Sequence, residues 1–153
     1  SSLLEYEQLF GKGPVPDTIN VNVNDDIYEV SESDFKIYNS LRAFYANGGG
    51  ECYIVSVGDY ENTPVFKSQD FIDGIKLLEK IDEPTLILFP DAVKLGATEL
   101  GLVQQNALAQ CADLMDRFTI LDVIQKDGNG LDTDSEEFRD AVGNRNLKYG
   151  ASY

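Results

Sequence analysis

Two aspartates stand where an α/β protein would keep its chemistry. Asp91 follows the apolar run Thr85 to Phe89, and Asp122 lies near the end of a second run, Phe118 to Val123. If both runs are parallel strands, each carboxylate sits at or near a strand's C-terminal end, the edge at which open α/β sheets bind ligands. Two carboxylates there could hold Mg²⁺, which takes one or two carboxylates and completes its shell with water and phosphate oxygens. The chain would then be a Mg²⁺-dependent phosphotransfer or nucleotide-binding domain working through Asp91 and Asp122. Two facts weigh against this. No Lys and Ser/Thr constellation accompanies the pair, and an aspartate ending a strand also serves to cap the next turn.

Other candidate chemistry is thinner. Gly48-Gly49-Gly50 has the composition of a phosphate loop but the wrong polarity. Such a loop runs from strand to glycines to helix, so that a helix N-terminus faces the anion. Here the glycines follow a helical pattern, which makes them a helix stop. Gly11-Lys12-Gly13-Pro14 lacks the spacing and the Ser/Thr of a phosphate loop. The acidic stretch Asp127 to Asp134 fails the ligand pattern of a calcium loop and reads as a solvated loop. The chain has no histidine, the usual base for a Ser or Cys nucleophile. Cys52 and Cys111 both sit inside apolar patterns, as small core residues kept reduced. The expectation is a chain with no catalytic residue, no cofactor site, and no metal site beyond the Asp91/Asp122 alternative.

Charge excludes further classes. Twelve basic residues face 27 acidic ones, a formal charge of −15. Nucleic-acid binding requires Lys and Arg to neutralise phosphates, so this chain is expected to bind neither DNA nor RNA. An anionic membrane surface is excluded on the same ground, and no window approaches the roughly 18 apolar residues of a membrane span. The acidity favours solubility, or a basic partner. The chain begins Ser1-Ser2-Leu3-Leu4 without a basic leader and stops at Tyr153, and it reads as a fragment of a longer protein.

The elements that must position these residues follow from periodicity. Leu3 to Phe10 has the spacing of a short amphipathic helix. Ile19, Val21 and Val23 alternate with polar residues, Asn24-Asp25-Asp26 is turn-like, and Ile27 to Val30 returns as a possible hairpin partner. Asp34 to Ala46 is a helix capped by Ser31 or Ser33. Cys52 to Val57 is a buried strand, and Gln69 to Ile81 a helix capped by Ser68. Thr85 to Phe89 is a strand. Leu100 to Arg117 is the longest helix, with the stripe Leu100, Val103, Ala107, Cys111 and Leu114. Phe118 to Val123 is a strand, Ser135 to Val142 a short helix, and Leu147 to Tyr153 a last strand. Strands apolar on both faces belong to parallel sheets covered on both sides. The expected architecture is three-layer α/β/α with a mainly parallel sheet and a possible N-terminal β-hairpin. It forms one core domain, with residues 1–33 as lead-in and 34–153 as the α/β core. Val55, Leu86, Leu88, Ile120 and Leu121 should be almost fully buried.

Five stretches carry a family resemblance. YANGGGECYIVSV (Tyr45 to Val57) resembles the stretch of contractile tail sheath proteins in which a helix ends in Asn-Gly-Gly and enters a Cys-Tyr-Val-Val strand. PTLILFPDA (Pro84 to Ala92) resembles the family's next strand with its Pro-Asp end. NALAQCADLMDRFTILDV (Asn106 to Val123) is similar to its long helix and following strand. LKYGASY (Leu147 to Tyr153) resembles its Tyr-Gly-Ala-Tyr segment, and LEYEQLFG (Leu4 to Gly11) an early segment ending in Phe-Gly. The resemblance implies a structural subunit that polymerises around an inner tube and contracts to drive it through a target envelope. It implies neighbouring sheath subunits, the inner tail tube and baseplate proteins as partners. The site of action would be a virion tail, or the bacterial cytoplasm where the particle assembles. It also implies further segments before and after this chain, which exchange strands between subunits. The family core is likened in fold to subtilisin-type proteases; without a histidine, that likeness brings no activity.

Overall fold

The computed structural model describes residues 2–14, 19–22, 27–30, 34–60 and 65–152. They divide into two compact units, Ser1–Cys52 and Tyr53–Tyr153. Helix α2 of the expected core therefore groups with the N-terminal unit.

In the first unit, helix α1 (Leu3–Phe10) starts on Ser2, whose Oγ accepts the Glu5 N–H at 3.2 Å, and ends at Gly11 with φ 85°. Strands β1 (Ile19–Asn22) and β2 (Ile27–Val30) pair antiparallel, Ile19 opposite Val30 and Asn22 opposite Ile27, as the alternation predicts. The turn-like Asn24-Asp25-Asp26 lies outside the described residues, as do Ser31 and Ser33. Helix α2 (Ile37–Ala46) begins three residues later than expected, after Lys36, which makes no side-chain cap. It ends as the glycines predict: Asn47 Nδ2 donates to the Ala43 carbonyl at 2.7 Å, the Gly49 N–H to that of Phe44 at 2.9 Å, and Gly48 has φ 85°. A Cβ on Gly49 would stand 2.5 Å from the Phe44 ring. Tyr6 and Leu41 are the buried apolar residues of this unit's helices.

The second unit is α/β with a parallel sheet. Strands β3 (Leu86–Ile87), β4 (Phe118–Leu121) and β5 (Gly150–Ser152) lie in the order β3-β4-β5, all parallel. Helix α3 (Ser68–Leu78) precedes β3, α4 (Ala97–Leu114) links β3 to β4, and α5 (Leu131–Val142) links β4 to β5. The order runs in one direction. Crossovers of a single hand then fall on a single face. The packing agrees: Leu108 of α4 and Val142 of α5 both pack with Leu121 of β4, and α3 packs against α4 through Phe71 and Ile75 on Leu100, Val103 and Ala107.

One sheet face is accordingly buried and the other is not. Ile87, Thr119 and Leu121 point toward α4 and are buried. Their neighbours along the strands point the other way. Leu86 is 56% exposed and Leu88 58%, while Ile120 is half-buried. The expected burial therefore holds for Leu121 and fails for Leu86, Leu88 and Ile120. The reason is that a second helical layer needs a reversal of strand order, which β3-β4-β5 does not contain. Val55 is also only half-buried. Residues 52–57 make no ladder, although Val55 and Val57 do pack against Gly74 of α3.

Boundaries shift in physical ways. Ser68 is the first residue of α3 rather than its cap, and its Oγ donates to the Glu99 carboxylate. α4 starts at Ala97, directly after Gly96 at φ 81°, and stops at Met115 in the left-handed region. α5 starts four residues before the expected Ser135. The last strand is shortened by a 3-10 turn over Leu147–Tyr149.

Helices α4 and α5 touch through Gly101. A Cβ there would lie 2.6 Å from the Ala141 carbonyl oxygen and 2.7 Å from its Cβ. Gly101→Ala should therefore destabilise the protein by about 1–3 kcal/mol, the usual range for overpacking, although alanine in an unconstrained helix would gain nearly 1 kcal/mol over glycine. Urea unfolding of the two proteins checks this; a more stable variant would mean that the two helices are not in close contact.

Candidate functional site

Asp91 sits between β3 and the 3-10 turn Ala92–Leu95. It is half-buried, its backbone carbonyl accepts the Lys94 N–H at 3.2 Å, and its side chain makes no cap bond to that turn. Asp122 follows β4 directly. Its backbone carbonyl accepts Gln104 Nε2 from α4 at 2.8 Å, and burial pushes its carboxyl above the ordinary 3.8.

Asp134 and Glu137, not Asp91, are the carboxylates that share a cavity with Asp122. Asp122, Asp134, Gln104, Leu100, Ile124 and Phe138 line a cavity of about 10 Å³. That is room for no more than a single water, whereas Mg²⁺ keeps several waters of an octahedral shell. Among the described residues, no group of three or more His, Cys, Asp or Glu could hold a metal ion. Nor does the described sheet offer the crevice at a reversal of strand order where open α/β sheets bind ligands.

Asp134 is the residue that sequence reasoning missed. It is 4% exposed, and its carboxylate accepts the Lys126 backbone N–H at 3.2 Å and Asn129 Nδ2 at 2.9 Å. It thus closes the loop read as solvated and stands in the first turn of α5, where negative charge is favoured by the helix dipole. The signal was available: Asp132 and Asp134 precede Phe138 and Val142, acidic first-turn residues ahead of an i, i+4 apolar pair. Beside this loop, Lys126 pairs with Glu137 of α5, so that cation is already used.

Arg117 was read as the end of a helix and is instead a buried clasp. Its guanidinium donates to the Leu78 carbonyl at 2.9 Å, to the Ile81 carbonyl at 2.8 Å, and to the Asp116 carboxylate at 2.7 Å. The Asp116 carboxylate is held below its usual range chiefly by the hydrogen bond it accepts from Arg117.

Both cysteines are free. Cys111 is fully buried on α4, and burial pushes its thiol up to about 11, which suppresses the thiolate at neutral pH. Cys52 is half-buried with its Sγ 3.1 Å from Tyr45 Oη; that contact, with burial, raises the Tyr45 hydroxyl to about 12.

No protein-family model matches the chain, and no curated protein matches it in sequence. Among the described residues, no helix is long and apolar enough to cross a membrane.

The Asp122 shift has a testable sign. A carboxyl raised in the fold contributes stability below its unfolded pKa, and that contribution is lost as pH rises through the folded value. At pH 7 the buried carboxylate therefore weighs against the fold. Asp122→Asn should raise Tm at pH 7, and the gain should shrink as pH falls below about 4. Thermal melts at both pH values check this. A lowered Tm at pH 7, or Mg²⁺ heat in calorimetry that the substitution abolishes, would return Asp122 to the role of ligand.

Proposed function

We propose that this chain is a non-enzymatic structural subunit of a contractile tail sheath, assembling with its own kind around an inner tube and contracting to drive that tube through a target envelope. Its partners are neighbouring sheath subunits, the tube and the baseplate. It acts on a virion tail or in the bacterial cytoplasm where such particles assemble.

The observation that carries this reading is the order of five resembling stretches along the sequence. Each contains a structural boundary. LEYEQLFG is α1 with its Gly11 stop. YANGGGECYIVSV starts at the end of α2, although its second half, Cys52 to Val57, forms no strand among the described residues. LILFPDA runs from β3 into the turn after it. NALAQCADLMDRFTILDV is the second half of α4 with β4. LKYGASY is the 3-10 turn that leads into β5. The physical demands of the role also fit. Contraction switches rigid bodies between two packings, which asks for a stiff interior and polar surfaces rather than a substrate pocket.

Electron microscopy of the longer protein that the resemblance implies tests the reading. Negative stain should show striated tubes of one diameter under assembling conditions, while residues 1–153 alone scatter light as small particles. A longer protein that stays monomeric under every assembling condition overturns the proposal.

A further inference from the structure

Two asparagines are followed directly by glycine, Asn47 and Asn129. That dipeptide carries its own chemistry. A backbone nitrogen can attack the side-chain carbonyl carbon of the residue before it, and a glycine, having no Cβ, leaves the approach open. The reaction is intramolecular, so its rate depends on how freely the two groups reach attack geometry.

The fold treats the two sites differently. Asn47 closes α2. Its Nδ2 donates to the Ala43 carbonyl at 2.7 Å, and the attacking nitrogen is tied as well, because the Gly48 N–H donates to the Tyr45 carbonyl at 3.2 Å. Asn129 and Gly130 are both exposed, in the loop between β4 and α5. Gly130 is extended, with φ −83° and ψ 155°, and its N–H donates to no group among the described residues. The Asn129 side chain is restrained by the bond from Nδ2 to the Asp134 carboxylate at 2.9 Å.

We propose that Asn129 is a deamidation site of the folded chain, and that its conversion to a carboxylate replaces the Asn129–Asp134 bond with a repulsion that frees the loop from the start of α5. The Gly130 nitrogen loses its proton to solvent base and bonds to Asn129 Cγ. The Cγ–Nδ2 bond breaks, and Nδ2 takes up protons from water and leaves as ammonia. Water then opens the cyclic imide at one of its two carbonyls. Opening at Cγ gives aspartate; opening at the main-chain carbonyl gives isoaspartate, with an added methylene in the main chain. The sum is amide plus water to carboxyl plus ammonia, with no change of oxidation state. The new charge arrives beside Asp134, which is 4% exposed and shares its cavity with Asp122 and Glu137. Lys126, the cation of this loop, is already paired with Glu137. Like charges this close disfavour the ionised pair. The inference uses no part of the sheath reading, so either can fail without the other.

The chain is incubated at mildly alkaline pH, folded and in urea, and the peptides around Asn47 and Asn129 are followed by mass spectrometry, with released ammonia assayed. Isomerisation at the neighbouring Asp127-Gly128 changes neither the mass nor the ammonia, so both readouts report asparagine. In the folded chain Asn129 should convert at least about tenfold faster than Asn47, since a tenfold rate difference needs only about 1.4 kcal/mol. In urea the two rates should converge. Asn129→Ala should abolish the mass gain of its peptide. Asn129→Asp stands for the aspartate product. Its Tm at neutral pH should lie below those of wild type and Asn129→Ala, and the deficit should shrink as pH falls below about 4, where the facing carboxyls of Asp134, Asp122 and Glu137 protonate. Conversion of Asn47 as fast as Asn129 in the folded chain overturns the proposal. So does an intact Asn129 after a free peptide of residues 127–131 has been consumed. An Asn129→Asp chain as stable as Asn129→Ala at neutral pH overturns the repulsion.

Discussion

The strand order of the sheet is the constraint on which the rest of the second unit depends. β3, β4 and β5 are neighbours in space in the order they occur in sequence. With crossovers of one hand, every connecting helix must land on the same side. α4 is thereby pressed between the sheet and its two sister helices, and its residues Val103, Ala107, Leu108 and Cys111 are buried to within 1%. Close approach on that side demands small residues: Gly101 against Ala141, Gly74 against Val55 and Val57, and Gly150 against Leu108. The same order leaves the opposite face to solvent and removes the crevice in which an α/β protein of mixed order would hold a ligand.

Once the crevice is gone, the buried polar groups take structural work. Gln104 holds the carbonyl of Asp122 as the chain leaves β4. Gln110 holds that of Ile75, leaving its own Oε1 without a partner among the described residues. Arg117 holds those of Leu78 and Ile81 where α3 ends. Each bond satisfies a backbone carbonyl at or near an element's end, where an unpaired buried acceptor would cost about 1–3 kcal/mol. Asp134 does the same for donors of the loop before α5. These are the residue types from which a site could be built, and each holds a piece of the fold instead, Gln110 with its Oε1 left unpaired.

How much of this was legible follows from what periodicity reports. The stripe on α4 identified Leu100, Val103, Ala107 and Cys111 as buried but not Gln104, Leu108 or Gln110, and its last member, Leu114, is only half-buried, because a helix against a sheet and two helices buries more than one stripe. The apolar runs located β3 and β4, and alternation located the β1–β2 hairpin. Apolarity on both faces of a strand, however, records what a residue would accept as a neighbour and not whether a neighbour is there, so Leu86 and Leu88 were expected inside and lie outside. Coverage depends on strand order, which is non-local. Cys52 to Val57 has strand composition but no ladder, since pairing also depends on what lies alongside. Asp91 and Asp122 looked like a pair because both end strands; the cavity joins Asp122 to Asp134 instead, across a loop and a helix turn whose closure no spacing rule foretells.

The sheath reading and the bare sheet face meet on one physical requirement. A subunit that passes between two packings must keep its interior unchanged while its surfaces exchange partners. In the second unit the Gly101–Ala141 approach and the buried stripe of α4 lie on one side of the sheet, and the Arg117 clasp ties the end of α3 to the start of β4. Core packing of this density transmits displacement rather than absorbing it. The other side carries Leu86 and Leu88 exposed. Stiff contacts of this kind would let a surface change elsewhere in the unit leave its core undisturbed.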